Sequence, residues 1–143
     1  MMALQLNMKT HIPVVVIVDQ SVDDRILLAR YLARSNFIVH EAGCLEDMLQ
    51  NINQANPDLV IVAERMVPIN GYDMCRLIRK EKTVHIPYIL MMLEMQDEYN
   101  AYHAILSGAD DYIIRPDIAS DVCSYHYIKK FIYENISMRS SSS

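Results

Sequence analysis

Along this chain, short runs of uninterrupted apolar residues alternate with longer stretches in which apolar positions recur every third or fourth residue. Val14 to Val18, Leu59 to Ala63 and Ile86 to Leu93 show no polar alternation, the pattern of strands buried on both faces of a parallel sheet. Phe37 to Glu41 and Tyr112 to Ile114 predict two shorter strands. Between them, Ser21 with Asp24 three residues on is a helix start, and Ile26, Leu27, Tyr31 and Leu32 carry helical spacing up to Ser35. Leu45, Met48, Leu49 and Ile52 mark a second amphipathic helix ending near Asn56-Pro57. Tyr72, Cys75, Leu77 and Ile78 mark a third, after the Asn70-Gly71 break. A fourth runs from Asp97 to Leu106 with Ser107-Gly108 as a left-handed cap, and a fifth from Ile118 to about Ile136. Five strands alternating with five helices across short connections specify one α/β unit, a doubly wound parallel sheet with helices on both faces. The unit spans 12–137, after an irregular lead-in at 1–11 and before a serine-rich tail at 138–143 that reads as the start of a linker.

Composition narrows the classes. With 143 residues and 52% hydrophobic content, the chain can bury a core without disulfides or metal. The formal charge of -5 and the scattered Lys and Arg residues argue against a nucleic-acid footprint. Cys44, Cys75 and Cys123 are an odd number at spacings that fit no zinc motif, and no signal peptide is visible, so reduced thiols in the cytoplasm are expected. No apolar run approaches the roughly 20 residues of a membrane span. Neither a cofactor nor a metal is expected.

The chemistry of such a sheet sits at the carboxyl ends of its central strands. Here the central strand Leu59 to Ala63 ends in a methyl group followed by Glu64, which points towards a binding or signalling module rather than catalysis.

Several local words then carry a resemblance: VVVIVD followed by Asp23 and Arg25, FIVHEAG, PDLVIV, NGYDMCRLIR, HIPYILM, SGADDYI and Arg115-Pro116. Over about residues 13 to 136 the chain resembles the receiver domain of bacterial two-component response regulators. The resemblance implies a flavodoxin-like strand order, 2-1-3-4-5. It also implies a pocket in which acids after the first strand and an aspartate ending the third hold Mg²⁺, that aspartate taking a phosphoryl group. A hydroxyl after the fourth strand and a lysine after the fifth contact the phosphoryl oxygens. Carried over by position, Asp19 matches the first acid but Gln20 stands for the second, Met92 for the hydroxyl and Arg115 for the lysine. The ungapped register from Pro57 to Gly71 places Ala63 at the acceptor, whereas counting back from Pro68 places Glu64 there; the first keeps the NGYDMCR word aligned and is preferred. Tyr112 matches the aromatic that changes rotamer in active members.

The resemblance therefore implies a degenerate pseudo-receiver, not an enzyme, working through protein–protein contact without phosphorylation. Two carboxylates about 4 Å apart repel by about 4 kcal/mol at an effective dielectric of 20, and Gln20 and Ala63 remove that repulsion. Arg115 can then pair with Asp19 in the cation's place, while Met92 fills the phosphoryl space. The first alternative is a receiver that phosphorylates Glu64 or Asp19 with Mg²⁺; the second is a small-ligand-binding flavodoxin-like domain, disfavoured because only Gly71 lies in the candidate loops. Tyr125, Tyr127 and Tyr133 in the last helix, on a face expected to include the fourth helix and the fifth strand, mark a candidate interaction surface for a signalling protein, an attached effector or a second copy in a homodimer. Plainer roles stand beside these. Asp19 can accept backbone hydrogen bonds at the following helix, Glu64 can be a solvated loop residue, Tyr112 can be ordinary packing, and His85 and His103 are expected at the surface.

Overall fold

The computed structural model describes residues 11–115 and 122–136, without the side chains of Val122, Cys123 and Ser124. Residues 1–10 of the lead-in, the expected start of the last helix at 118–121, Pro116, the Cys123 thiol and the 138–143 tail lie outside the described residues. The strands are β1 (Val14–Val18), β2 (Ile38–Ala42), β3 (Leu59–Ala63), β4 (Tyr88–Leu93) and β5 (Asp111–Ile114). They form one parallel sheet in the order β2-β1-β3-β4-β5. The helices are α1 (Val22–Arg34), α2 (Leu45–Ala55), α3 (Gly71–Lys80), α4 (Glu98–Leu106) and α5 (Val122–Phe131), the last continuing into a wider π-type turn, Ile132–Ile136.

Every side chain of β3 is buried, as its unbroken apolar run requires, and β1 and β4 are nearly so. Helices on both faces leave these central strands no contact with water. Gly108 has φ +111°, the left-handed cap expected after α4. Three strands differ from expectation in their bounds, β5 by starting one residue earlier, at Asp111. β4 begins at Tyr88 rather than Ile86, because Pro87 has no N–H to give a ladder and Ile86 stands exposed. β2 is shifted one residue on because Phe37 turns into the core, its amide donating to the Leu32 carbonyl at the end of α1.

Asp58 explains the Pro-Asp start of β3. Its buried carboxylate accepts the Val14 N–H at 2.8 Å and lies 2.9 Å from His11 Nε2, while its backbone bonds Val14 and Tyr88. Three strands thus begin on one residue. His85, expected at the surface, is half-buried, with Nε2 shielded 3.3 Å from Asp58 Oδ1 and without a hydrogen bond; the buried carboxylate is the reason its ring turns inward.

At the opposite end of β3, Asn70 caps α3 by accepting the Asp73 N–H at 2.9 Å. A Cβ on Gly71 would lie 2.1 Å from the Ala63 carbonyl oxygen. Only glycine lets α3 start that close to the strand end, and this fixes the loop that carries Glu64. Replacing Asp58 by Ala removes the charged acceptor and leaves the Val14 N–H unpaired, so stability should fall by about 2–3 kcal/mol. Urea unfolding should show it as a lower midpoint with an unchanged slope.

Candidate functional site

The carboxyl ends of β1, β3, β4 and β5 bring Asp19, Ala63, Glu64, Glu94 and Arg115 to one rim. Asp19 follows β1 and is only 1% exposed. Its Oδ1 accepts the Ser21 N–H at 3.0 Å, and its Oδ2 accepts from Arg115 Nη1 at 2.8 Å. The helix-mouth role and the pairing with Arg115 therefore coexist on one carboxylate. The same Nη1 donates to Asp24 Oδ2 at 2.8 Å, and Nε donates to Glu94 at 3.1 and 3.3 Å. Asp24 thus faces the crevice, and Ser21 makes no side-chain cap bond, so the capping pattern read at the start of α1 does not form.

Arg115 is held from both ends: its backbone N–H bonds the Leu93 carbonyl, and its guanidinium meets three carboxylates. Burial opposes its charge, but the Asp19 and Glu94 carboxylates outweigh that, and its pKa is held above the ordinary arginine range. Together with Gln20 and Arg65 these groups line an open cleft of about 380 Å³.

The other positions read from the sequence are placed as follows. Gln20 turns its amide oxygen to the Val67 N–H at 3.0 Å, tying the loop after β3 to that after β1. Ala63 is the last residue of β3, fully buried, and stands in register with Met92, also buried. Tyr112 is half-buried on β5 and packs against the core.

Glu64 is not the solvated loop residue that is the common case. Its Oε1 accepts the Glu94 N–H at 2.8 Å and its Oε2 the Tyr72 hydroxyl at 2.5 Å. Burial first, and then the bond to Glu64, push the Tyr72 hydroxyl well above the usual tyrosine range. Tyr72 stacks flat on His103, which is half-buried rather than on the surface, because α3 and α4 meet through these two rings. Glu64 lines a neighbouring cleft with Met66, Tyr72 and Met95, and not the one around Asp19.

Along α5 and the π-type turn that follows it, the three tyrosines divide. The Tyr125 ring packs against Tyr31 of α1, centroids 5.2 Å apart, and burial raises its pKa. Tyr127 is exposed, and its bond to Asp111 at 2.7 Å pushes it up to about 12. Tyr133 is exposed beside Phe37. The larger exposed apolar surface is on α4, a helix counted in the expected face but without its residues singled out: Tyr99, Tyr102 and Leu106, at 72%, 65% and 65% exposure, with Ile105 beside them. Their spacing three and four apart was the available signal.

The sequence profile of the response regulator receiver domain matches residues 15–124. Transcriptional regulatory protein ResD of Bacillus subtilis is 31% identical over 102 residues, 71% of this chain and 41% of ResD. Probable transcriptional regulator ycf27 of Guillardia theta is 32% identical over 102 residues, 71% of this chain and 39% of that protein. The chain thus spans about two fifths of the length of these relatives. A CheY-like receiver domain protein from Methanospirillum hungatei superposes with a TM-score of 0.77 at 16% identity, covering 93% of this chain and 100% of that one. A two-component response regulator from Clostridium difficile gives 0.75 at 22% identity, covering 87% and 98%. At these identities the structural likeness is one of fold.

Removing the Arg115 side chain leaves three carboxylates facing one another, so Arg115→Met should cost about 2–4 kcal/mol, more than an exposed ion pair. In a double-mutant cycle with Asp19→Asn, measured by chemical unfolding, the combined loss should be clearly smaller than the sum of the single losses.

Proposed function

The chain belongs to the response regulator receiver domain family, and from that premise we propose that it signals without phosphorylation, holding one conformation and docking a protein partner. The observation that carries this reading is the Arg115 guanidinium, 2.8 Å from both Asp19 and Asp24.

Mg²⁺ suits these residues poorly. It demands near-octahedral oxygen coordination at about 2.0–2.1 Å. One Asp19 oxygen is held by a backbone N–H and the other by a guanidinium, the Gln20 oxygen is held by Val67, and Ala63 offers no oxygen. A fixed positive charge beside Asp19 also repels a second cation. Phosphoryl transfer depends on a positioned nucleophile and neutralised oxygens, and an alanine supplies no nucleophile. Glu64 is a weak substitute acceptor, since both of its oxygens already accept hydrogen bonds and it does not line the cleft around Asp19. The small-ligand alternative has less support still, as the crevice wall is made of mutually paired charges.

The docking face is formed by α4, β5 and α5. Its exposed stripe of Tyr99, Tyr102 and Leu106 on α4, with Tyr127 bonded to Asp111 of β5, has the aromatic character of an interface core, whereas Tyr133 stands beside Phe37 at the other edge of the sheet. The partner is a signalling protein or an effector domain of the same polypeptide, in keeping with the much longer transcriptional regulators that the chain resembles; a second copy is the other occupant. The -5 net charge favours a protein over nucleic acid as the contact of this domain. Among the described residues no helix is long and apolar enough to cross a membrane.

Beryllofluoride with Mg²⁺ should produce no metal-dependent rise in melting temperature, and acetyl phosphate no phosphoryl adduct by mass spectrometry. A tight Mg²⁺-dependent shift, or stoichiometric acyl phosphate on any Asp or Glu, would overturn the reading.

A further inference from the structure

Helix α4 presents a problem of support. Of its nine residues only Ala104 is fully buried, while Tyr99, Tyr102, Ile105 and Leu106 stand in solvent. A helix with so few buried apolar contacts belongs to the low-stability end of a fold, so its position must be fixed by something other than a core stripe.

The hydrogen bonds and ring contacts around α4 meet on one carboxylate. Glu64 Oε1 accepts the N–H of Glu94, which lies in the loop leading to the α4 cap residue Asp97. Glu64 Oε2 accepts the Tyr72 hydroxyl at 2.5 Å, the length of a charge-assisted bond. The Tyr72 ring, buried in the first turns of α3, lies on the His103 ring in the middle of α4, with centroids 3.9 Å apart and planes 6° from parallel. His103 Nε2 is also 3.3 Å from Arg76 Nη2 on α3, and the Tyr99 ring lies 6.0 Å from it on the outer side.

We propose that Glu64, Tyr72 and His103 act as a positioning couple that presets helix α4: one carboxylate at the end of β3 holds both the loop before the helix and, through a stacked ring pair, its middle. Neither contact involves Arg115 directly, but Glu94 belongs to both systems, giving its N–H to Glu64 and its carboxylate to Arg115. The couple therefore links the crevice to the exposed apolar stripe by direct contact. Its functional meaning rests on the reading of α4 as part of the docking face; its existence does not, and it is tested without any partner.

The test is amide hydrogen exchange on the full chain, comparing residues 101–106 of α4 with α2 as an internal reference. In Glu64→Ala the α4 amides should exchange about tenfold faster or more, while α2 stays within about twofold of wild type. Tyr72→Phe keeps the ring stack and removes only the hydroxyl, so it should accelerate α4 selectively by a smaller factor, about threefold or more. If Glu64→Ala does not fold, Tyr72→Phe alone decides. Unchanged α4 exchange in either folded variant, or equal acceleration in α2 and α4, overturns the proposal. A beryllofluoride response would sink the phosphorylation-independent reading and leave this exchange pattern untouched.

Discussion

One guanidinium holds the carboxyl end of this sheet together. Arg115 reaches back from β5 to Asp19 after β1, Asp24 on α1 and Glu94 after β4, so residues as far as 96 positions apart are joined on a single side chain. Without it, carboxylates that share one nitrogen would repel each other by several kcal/mol, on the scale of about 4 kcal/mol for a pair at 4 Å and an effective dielectric of 20. The positive charge is covalently part of the chain. A bound ion stabilises by an amount that rises with the logarithm of its concentration, whereas a guanidinium is present whenever the protein is folded. On the reading proposed above, that difference makes a switchable crevice into a constant one.

The second cluster follows from the first. Glu94 is drawn towards Arg115 by its side chain, and this places its N–H where Glu64 can accept it. Glu64 in turn can reach Tyr72 because Gly71, with no Cβ to strike the Ala63 carbonyl, lets α3 start against the strand end. The rim is thus a chain of charge-assisted bonds running from α1 through β5 and β4 to α3, and onward by ring stacking to α4. Buried polar networks of this kind are favourable only when every member is satisfied, and here each carboxylate has a donor.

Much of the fold was legible in the sequence because burial on both faces leaves an unbroken apolar run, and the runs ending at Val18, Ala63 and Leu93 became β1, β3 and β4. The strand order needed the resemblance, since periodicity carries no information on which strands are neighbours. The Arg115 to Asp19 pairing was anticipated from the company those residues keep. Its extension to Asp24 was not, because local pattern assigned Asp24 to a helix cap and only the tertiary fold offers it a guanidinium. The same holds for Glu64, Tyr72 and His103. Their contacts span 8 to 31 positions, and a stacked pair of rings leaves no periodic trace, so Glu64 read as a loop carboxylate and His103 as a surface residue. The exposed apolar surface was half legible. The tyrosines of the last helix drew notice by number, yet Tyr125 packs internally on Tyr31, and the more exposed stripe lies on α4.

The claim that an internal guanidinium has replaced a divalent cation is most directly tested by titrating the full chain with Mn²⁺ and recording paramagnetic broadening of its amide resonances. If Arg115 already occupies the acidic rim, the amides of Asp19, Gln20, Glu64 and Glu94 should broaden no more than those of scattered surface carboxylates. Saturable broadening centred on Asp19 and reversed by Mg²⁺ would contradict it.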